Sequence, residues 1–172
     1  KNGSLNYEVA LLYINEGDFF EAYNCMNNIF EEFQINVNYL NDFCVVCTKL
    51  SFLEKAEFLT KLAFDRDPTN PNHLINLGAV YNLMKNHDKA LKVIDQAIQI
   101  NPIEPQYYNL MGVTLVSSGL TLVAKKMFEV ACALDTNYIE AKVNLAVLAS
   151  KNNDHITAIY LLEEAILNEP ED

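Results

Sequence analysis

The chain has 172 residues, 51% of them hydrophobic, and a formal net charge of −11. This length can bury a sizeable core, whereas the acidic balance argues against a nucleic-acid-binding protein, because such proteins neutralise phosphates with clustered Lys and Arg. The longest apolar runs are far shorter than a bilayer is thick, so no membrane-spanning segment is predicted.

A 34-residue period organises the chain. Gly78 lies in the middle of a predicted helix, where glycine costs about 1 kcal/mol relative to alanine. The residues one and two periods before Gly78 are Cys44 and Ala10, and the residues one and two periods after it are Gly112 and Ala146. Five blocks follow without insertion, 3–36, 37–70, 71–104, 105–138 and 139–172, and positions within a block are numbered so that Gly78 is position 8. Since no linker-like stretch interrupts the period, one continuous array over residues 1–172 is expected.

Each block predicts two helices joined by a short polar turn. In the first helix, positions 4, 7, 8 and 11 are mostly apolar or small, which is one face of a 3.6-residue period. In chain order, polar turns are predicted at 16–18, 85–88, 117–119 and 152–154, and Gly17 and Gly119 are expected to end their helices in the left-handed conformation. The second helix carries an alanine at position 20 in every block: Ala22, Ala56, Ala90, Ala124 and Ala158.

Small residues also dominate position 27, so positions 8, 20 and 27 would let helices pack closely. This close packing explains why a helix would carry Gly78 at its centre. Pro68, Pro102 and Pro170 stand at position 32 and are expected to close their blocks, because proline cannot continue a helix.

The third block, with Leu77-Gly78-x-x-Tyr81, Ala90, Ala97 and Pro102, closely resembles the tetratricopeptide repeat. The register extends this resemblance to residues 3–172, although the tryptophan usual at position 4 is absent from every block. The resemblance implies an all-α fold, an α-solenoid in which antiparallel helix pairs form a right-handed superhelix. Terminal repeats normally carry a polar cap. Because none is evident, we expect the chain to be part of a longer protein and to be capable of self-association through its uncapped ends.

Position 9 points away from the core face of the first helix, at 100° per residue, yet it is apolar in every block. Its residues are Leu11, Val45, Ala79, Val113 and Val147. The resemblance implies that this stripe lines a concave groove that binds partner segments. The alternative is that position 9 packs between neighbouring first helices.

Asparagines near this stripe are a second candidate feature, because an amide can both donate and accept hydrogen bonds to a peptide backbone. Asn41 and Asn109 are at position 5, and Asn76 and Asn144 at position 6. They resemble the asparagine ladder of O-linked N-acetylglucosamine transferases, although Glu8, Asp42 and Leu110 interrupt it. The predicted groove set is Leu11, Asn41, Val45, Asn72, Ile75, Asn76, Ala79, Asn109, Val113, Asn144 and Val147.

No catalytic, metal or cofactor site is predicted. Cys44-Val-Val-Cys47 has the spacing of a redox motif, but it falls within a helix, at core positions 8 and 11. His73, His87 and His155 are far apart, and each is expected to be solvated near a turn. Unpaired core cysteines favour a reducing compartment, so a cytoplasmic location is expected.

These patterns favour a non-enzymatic protein-interaction module, or scaffold, that binds a partner peptide or amphipathic helix. Block one has six acidic and no basic residues and block five has seven acidic and two basic residues, while the middle blocks are nearly neutral. Acidic ends are compatible with a basic or amphipathic partner. Two alternatives remain open: a dedicated chaperone for an aggregation-prone client, similar to those of bacterial secretion systems, and the targeting arm of an enzyme outside this segment.

Overall fold

A computed structural model of the chain describes residues 2–167, and it forms ten α-helices over that range. They are α1 (Asn2–Glu16), α2 (Phe19–Phe33), α3 (Val37–Lys49), α4 (Leu53–Arg66), α5 (Asn72–Leu83), α6 (His87–Ile100), α7 (Pro105–Ser117), α8 (Thr121–Leu134), α9 (Ile139–Lys151) and α10 (His155–Leu167). The predicted pair of helices per block is confirmed. α4 and α6 end two residues before Pro68 and Pro102, whereas Pro170 lies outside the described residues.

The helices group into two compact units, one with α1 to α5 that ends at Lys85 and one with α6 to α10 that begins at Asn86. The border falls in the turn of the third block. In the first unit, aromatic rings bridge successive helices: the centroid of Phe43 lies 5.5 Å from that of Tyr23 and 6.4 Å from that of Phe30. Tyr39 continues the contact by donating from its hydroxyl to the carbonyl oxygen of Met26 at 2.6 Å.

The second unit has a mostly aliphatic core. Its buried cluster contains Leu115, Ala124, Phe128, Leu145 and Leu148. Gly112, at position 8, meets the Phe128 ring: a Cβ added there would lie less than 3.0 Å from three ring atoms. A small residue at position 8 therefore makes room for the second helix of the same block.

The small residues of the second helices are buried as the repeat predicts. All five alanines at position 20 are buried, and so are the residues at position 27: Ile29, Ala63, Ala97, Ala131 and Ala165. Cys44 and Cys47 are also buried, which confirms their interpretation as core residues.

One turn geometry recurs in every block. Position 15 has a positive φ in all five: Gly17, Ser51, Lys85, Gly119 and Asn153. The predicted left-handed glycines are thus confirmed. In four of these turns the following residue donates its N–H five residues back, as from Asp18 to Tyr13 at 2.8 Å and from Phe52 to Cys47 at 2.8 Å. These bonds satisfy helix-end carbonyls in the manner of a Schellman motif.

The expectation that His73 is solvated is wrong. Its side chain is buried in the first unit, with Nε2 3.7 Å from a carboxylate oxygen of Asp67. His73 stands at position 3, where Tyr39 and Tyr107 are buried as well. The error arose because the sequence pattern did not assign position 3 to a buried face.

Replacing Ser51 by glycine is expected to raise the free energy of unfolding by about 1 kcal/mol, because a left-handed conformation costs an L-residue about that much. Gly119→Ala is expected to lower it by a similar amount. No atom lies within 4 Å of a Cβ added at Gly119, so the cost is conformational rather than steric. Urea unfolding followed by circular dichroism measures both. Asn153→Gly is the control and should change less, since asparagine tolerates this conformation. A destabilised Ser51→Gly variant would contradict the account.

Gly112→Ala is expected to destabilise the chain although alanine favours helix. The intrinsic gain is about 1 kcal/mol, whereas forcing a methyl group against a packed ring typically costs about 1–3 kcal/mol. In a Phe128→Leu background the same substitution should cost less or become stabilising. Thermal unfolding of the four variants of this cycle measures the coupling, and an equal effect of Gly112→Ala in both backgrounds would refute the steric explanation.

Candidate functional site

The apolar residues at position 9 remain accessible. Val45, Val113 and Val147 are exposed, with 48% of Val45 accessible, and Leu11 and Ala79 are half-buried. They lie on the first helices α1, α3, α5, α7 and α9, whose opposite faces are in the core. Exposed valines therefore lie on this face of α3 in the first unit and of α7 and α9 in the second. We call the position-9 residues of each unit its position-9 stripe.

In the first unit this stripe borders a depression between α3 and α5, here called the α3–α5 dimple. Its volume is about 160 Å³. It is lined by Asn41, Cys44, Val45, Thr48, Asn76, Ala79, Val80 and Leu83. Four residues of the predicted set therefore share one small concave surface.

The second unit has an equivalent depression between α7 and α9, the α7–α9 dimple, of about 120 Å³. It is lined by Val113, Val116, Ser117, Phe128, Asn144, Val147, Leu148 and Lys151. Both dimples use positions 9 and 12 of the earlier helix and positions 6, 9, 10 and 13 of the later one. The same concavity is thus built twice from the same register, once in each unit.

A polar contact links the first helices beside these dimples. Asn144 donates from Nδ2 to Oδ1 of Asn109 at 2.8 Å, joining position 6 of one block to position 5 of the block before it. The Tyr7 hydroxyl donates to a carboxylate oxygen of Asp42 at 2.5 Å between the same two positions. We call such a contact a rung. An amide carries two N–H donors and an acceptor oxygen, more than one rung consumes.

Burial and the bond to Asp42 both raise the pKa of the Tyr7 hydroxyl far above its usual value, with burial the larger cause. At neutral pH this group is therefore a neutral donor held by a carboxylate. Asn41 and Asn76 occupy the rung positions of the α3–α5 dimple and both line it.

Two residues of the predicted groove set, Ile75 and Asn72, do not line either dimple. Ile75 is buried, so its side chain is not available on the surface. Asn72 is exposed at the beginning of α5, where its backbone N–H donates to the side chain of Asn70 at 3.0 Å.

The predicted set missed the residues at positions 12 and 13 that complete the dimples. Thr48 and Leu83 do so in the first unit, and Ser117 and Lys151 in the second. Position 13 lies four residues after position 9 and therefore on the same helix face, which was the signal available in the sequence.

The cysteines do not form a redox centre among the described residues, since all four are free. Burial raises the pKa of the Cys47 thiol to about 12 and also raises the pKa of Cys44. A thiol held in its protonated form is a poor nucleophile. These two cysteines therefore behave as core side chains.

The part of the chain that the structure describes contains no group of three or more His, Cys, Asp or Glu arranged to hold a metal ion. Over the same residues, every helix is too short or too polar to cross a bilayer.

Comparison with known proteins agrees with the repeat architecture. A model of the tetratricopeptide repeat matches residues 74–104. The Peroxisomal targeting signal receptors of Kluyveromyces lactis and Saccharomyces cerevisiae are each 23% identical to the chain, over 150 and 155 residues respectively. These alignments cover 81% and 86% of this chain and 25% of each receptor, so the chain spans about a quarter of the length of these relatives.

Solved structures share the fold. A thermophilic TPR protein of Thermus thermophilus matches with a TM-score of 0.82 and 18% identity, covering 99% of this chain and 93% of that one. MamA from Desulfovibrio magneticus RS-1 matches with a TM-score of 0.75 and 17% identity, covering 98% and 95%. The fold class is thus the all-α helix-pair solenoid that the sequence predicted. The ten consecutive helices in the described range fit tetratricopeptide repeats, in agreement with the repeat model that matches residues 74–104.

Proposed function

We propose that the chain is a non-enzymatic module that binds a partner peptide on the position-9 stripe of a unit, with apolar side chains of the peptide seated in the dimple of that unit. The tetratricopeptide fold is a protein-interaction scaffold, and the location of its binding surface in this chain is our proposal. The observation that carries it is the repetition of one concavity, in the same register, in each unit.

The composition of the dimples supports a peptide ligand. The α3–α5 dimple is lined by apolar and uncharged polar side chains, and the α7–α9 dimple adds one charge, that of Lys151. Burying apolar surface contributes about 25 cal/mol per Å², so a few seated side chains supply most of the affinity. A few central contacts usually dominate such interfaces.

The asparagines at the rung positions supply the polar part of the proposal. An extended peptide presents N–H and C=O groups at every residue, and these groups need partners when a binding surface removes them from water. Amides can satisfy either kind of group. Binding would therefore combine apolar selectivity at the dimples with backbone recognition at Asn41, Asn76 and Asn144.

The relatives support the same class of ligand. Their name describes receptors for a targeting signal. We infer from this a short peptide segment as the ligand here. Buried free cysteines support a reducing compartment as the place of action.

A dedicated chaperone is the second candidate, because the stripe and the last helix both expose apolar residues. It differs from a scaffold in its partner. A chaperone's client aggregates without it, whereas a scaffold's partner is soluble alone.

The test begins with a displayed library of random peptides selected against the chain, whose binders are then measured by fluorescence polarisation. Val45→Arg and Val113→Arg are each expected to weaken binding about tenfold, the effect of about 1.4 kcal/mol lost at a central contact. Val123→Arg, on α8, is the matched control: it is 46% exposed, close to the 48% of Val45, and it introduces the same charge.

The control should bind as the unmodified chain does. Equal weakening by all three substitutions would show a general charge effect and refute the proposed surface. Circular dichroism and thermal unfolding of each variant establish that the fold is retained. Loss of folding in Val45→Arg and Val113→Arg, but not in the control, would show that position 9 is a packing position and also refute the proposal.

Removing the amides gives an independent prediction. Asn41→Ala combined with Asn76→Ala is expected to weaken a selected peptide about five- to tenfold, the loss of about one to two net hydrogen bonds. A peptide N-methylated at the residues between its anchoring side chains lacks the N–H groups that the amide oxygens would accept, so the double substitution should weaken it less than it weakens the unmodified peptide. If the double variant weakens the methylated peptide as much as the unmodified one, the amides do not accept hydrogen bonds from the peptide backbone.

A further inference from the structure

A cavity of about 330 Å³ lies in the second unit, between α8, α9 and α10. It shares one lining residue, Leu148, with the α7–α9 dimple. Leu145 and Leu148 contribute to its lining and are at most 8% exposed. Lys125 and Glu129 also line it, and their side chains are 57% and 52% exposed. The cavity therefore has an apolar inner end and a charged outer end.

In the first unit, a tyrosine ring fills the register that this cavity occupies. Tyr81, at position 11 of block three, is 5% exposed, and its hydroxyl donates to Oε1 of Glu57 at 3.0 Å. Glu57 stands at position 21 of block two, and its carboxylate is 2.6 Å from Nζ of Lys61 at position 25. One ring thus reaches from the first helix of a block to a charged pair on the second helix of the block before it.

Blocks four and five repeat this arrangement without the ring. Positions 21 and 25 of block four are Lys125 and Glu129, and Nζ of Lys125 lies 3.7 Å from Oε1 of Glu129. Positions 7 and 10 are aliphatic in block five, as they are in block three. Position 11, however, is Ala149, which lines the cavity and is half-buried. The cavity therefore has the surroundings of a tyrosine side chain but only a methyl group at the position that would supply it.

The junction of blocks one and two shows that rings belong in this register. Position 11 there is the small Cys47, yet Cys47 is fully buried. Tyr23, at position 21, packs with its centroid 5.5 Å from that of Phe43 and 5.0 Å from that of Phe52. Aromatic side chains thus fill this space at two junctions of the first unit, by different routes.

We propose that the cavity between α8, α9 and α10 binds a small free phenol, whose ring lies where position 11 supplies a tyrosine ring in block three. The phenol hydroxyl donates to Glu129 and accepts from Lys125, and its apolar end lies against Leu145 and Leu148. The volume is sufficient, since an apolar cavity of about 150 Å³ already binds benzene in a protein core. An exposed ion pair holds its partners weakly, so Lys125 and Glu129 are available to a ligand.

The two ends of the cavity select a free phenol over a tyrosine side chain of a partner protein. A tyrosine attached to a backbone outside the cavity enters with its hydroxyl first. The hydroxyl would then lie at the apolar end, beside Leu145 and Leu148, where it loses its water without gaining a hydrogen bond. A free phenol can enter in the opposite orientation, which is also the orientation of Tyr81 relative to Glu57.

The experiment titrates the chain with 4-methylphenol and follows the leucine methyl groups by NMR. Saturable shifts are expected at Leu145, Leu148 and Leu161, which all line the cavity. N-acetyl-tyrosinamide presents the same ring with a backbone attached, and it should bind at least about tenfold more weakly. Peptide binding at the dimples is not needed for this result, so the titration stands whether or not that function is correct.

Two pairs of variants locate the site. Ala149→Tyr should abolish binding and raise the thermal unfolding temperature, because its side chain fills the cavity. Ala149→Ser retains the space and should bind 4-methylphenol as the unmodified chain does. Glu129→Ala should weaken binding about fivefold through the loss of one hydrogen bond. Glu163→Ala removes the same charge at an exposed position of α10 outside the cavity and should leave binding unchanged.

The proposal is overturned if 4-methylphenol produces no saturable shift, or if its shifts are confined to methyl groups outside the cavity. Unchanged binding by a folded Ala149→Tyr variant overturns it as well. If that variant does not fold, the leucine shifts of the unmodified chain and the comparison of Glu129→Ala with Glu163→Ala decide. Equal binding of N-acetyl-tyrosinamide overturns the free phenol in favour of a tyrosine side chain of a partner.

Discussion

Close approach of helices at positions without a large side chain is the constraint on which the rest of this structure depends. Alanine at position 20 is buried in every block, and at Gly112 even a methyl group would collide with the Phe128 ring. Burying alanine loses no side-chain rotamer entropy, so little opposes the contact. It fixes how near the two helices of a pair lie and hence where their other side chains point.

Because the close contacts within each pair fix which faces pack in the core, the opposite face of each first helix takes no part in that packing. Position 9 falls on that face, and two consecutive first helices with small or β-branched residues there leave a shallow depression between them. The α3–α5 and α7–α9 dimples share their register for this reason. The rung between positions 5 and 6 has the same origin, and different residue pairs form it: Tyr7 with Asp42 in the first unit and Asn144 with Asn109 in the second.

The blocks differ in how they solve the same local problems. Asp18, Asn86 and Asp154 accept a backbone N–H at the beginning of a second helix, whereas Phe52 and Leu120 occupy that position without a side-chain cap. The Phe52 ring instead packs 5.0 Å from that of Tyr23. In the first unit Lys55 also lies 4.5 Å over the Phe30 ring, a favourable cation–π distance. Aromatic packing there replaces a helix cap worth about 1 kcal/mol.

The sequence by itself determined the helix pairs, the left-handed glycines at 17 and 119 and the buried alanines, because each depends on neighbours within a few residues and repeats five times. It placed position 9 opposite the core face but left open whether this position is accessible or packs between neighbouring first helices, and the structure leaves Val45, Val113 and Val147 exposed. Only the tertiary structure decided that His73 and Ile75 are buried, that Ser51, Lys85 and Asn153 adopt a positive φ, and that Asn144 pairs with Asn109. These features arise from contacts between residues of different helices, or from a turn geometry that recurs in every block even where its residue, such as Ser51 or Lys85, has no preference for it. A helical period predicts neither the contacts between helices nor the turn geometry, because it describes the faces of a single helix and not the residues that pack against them.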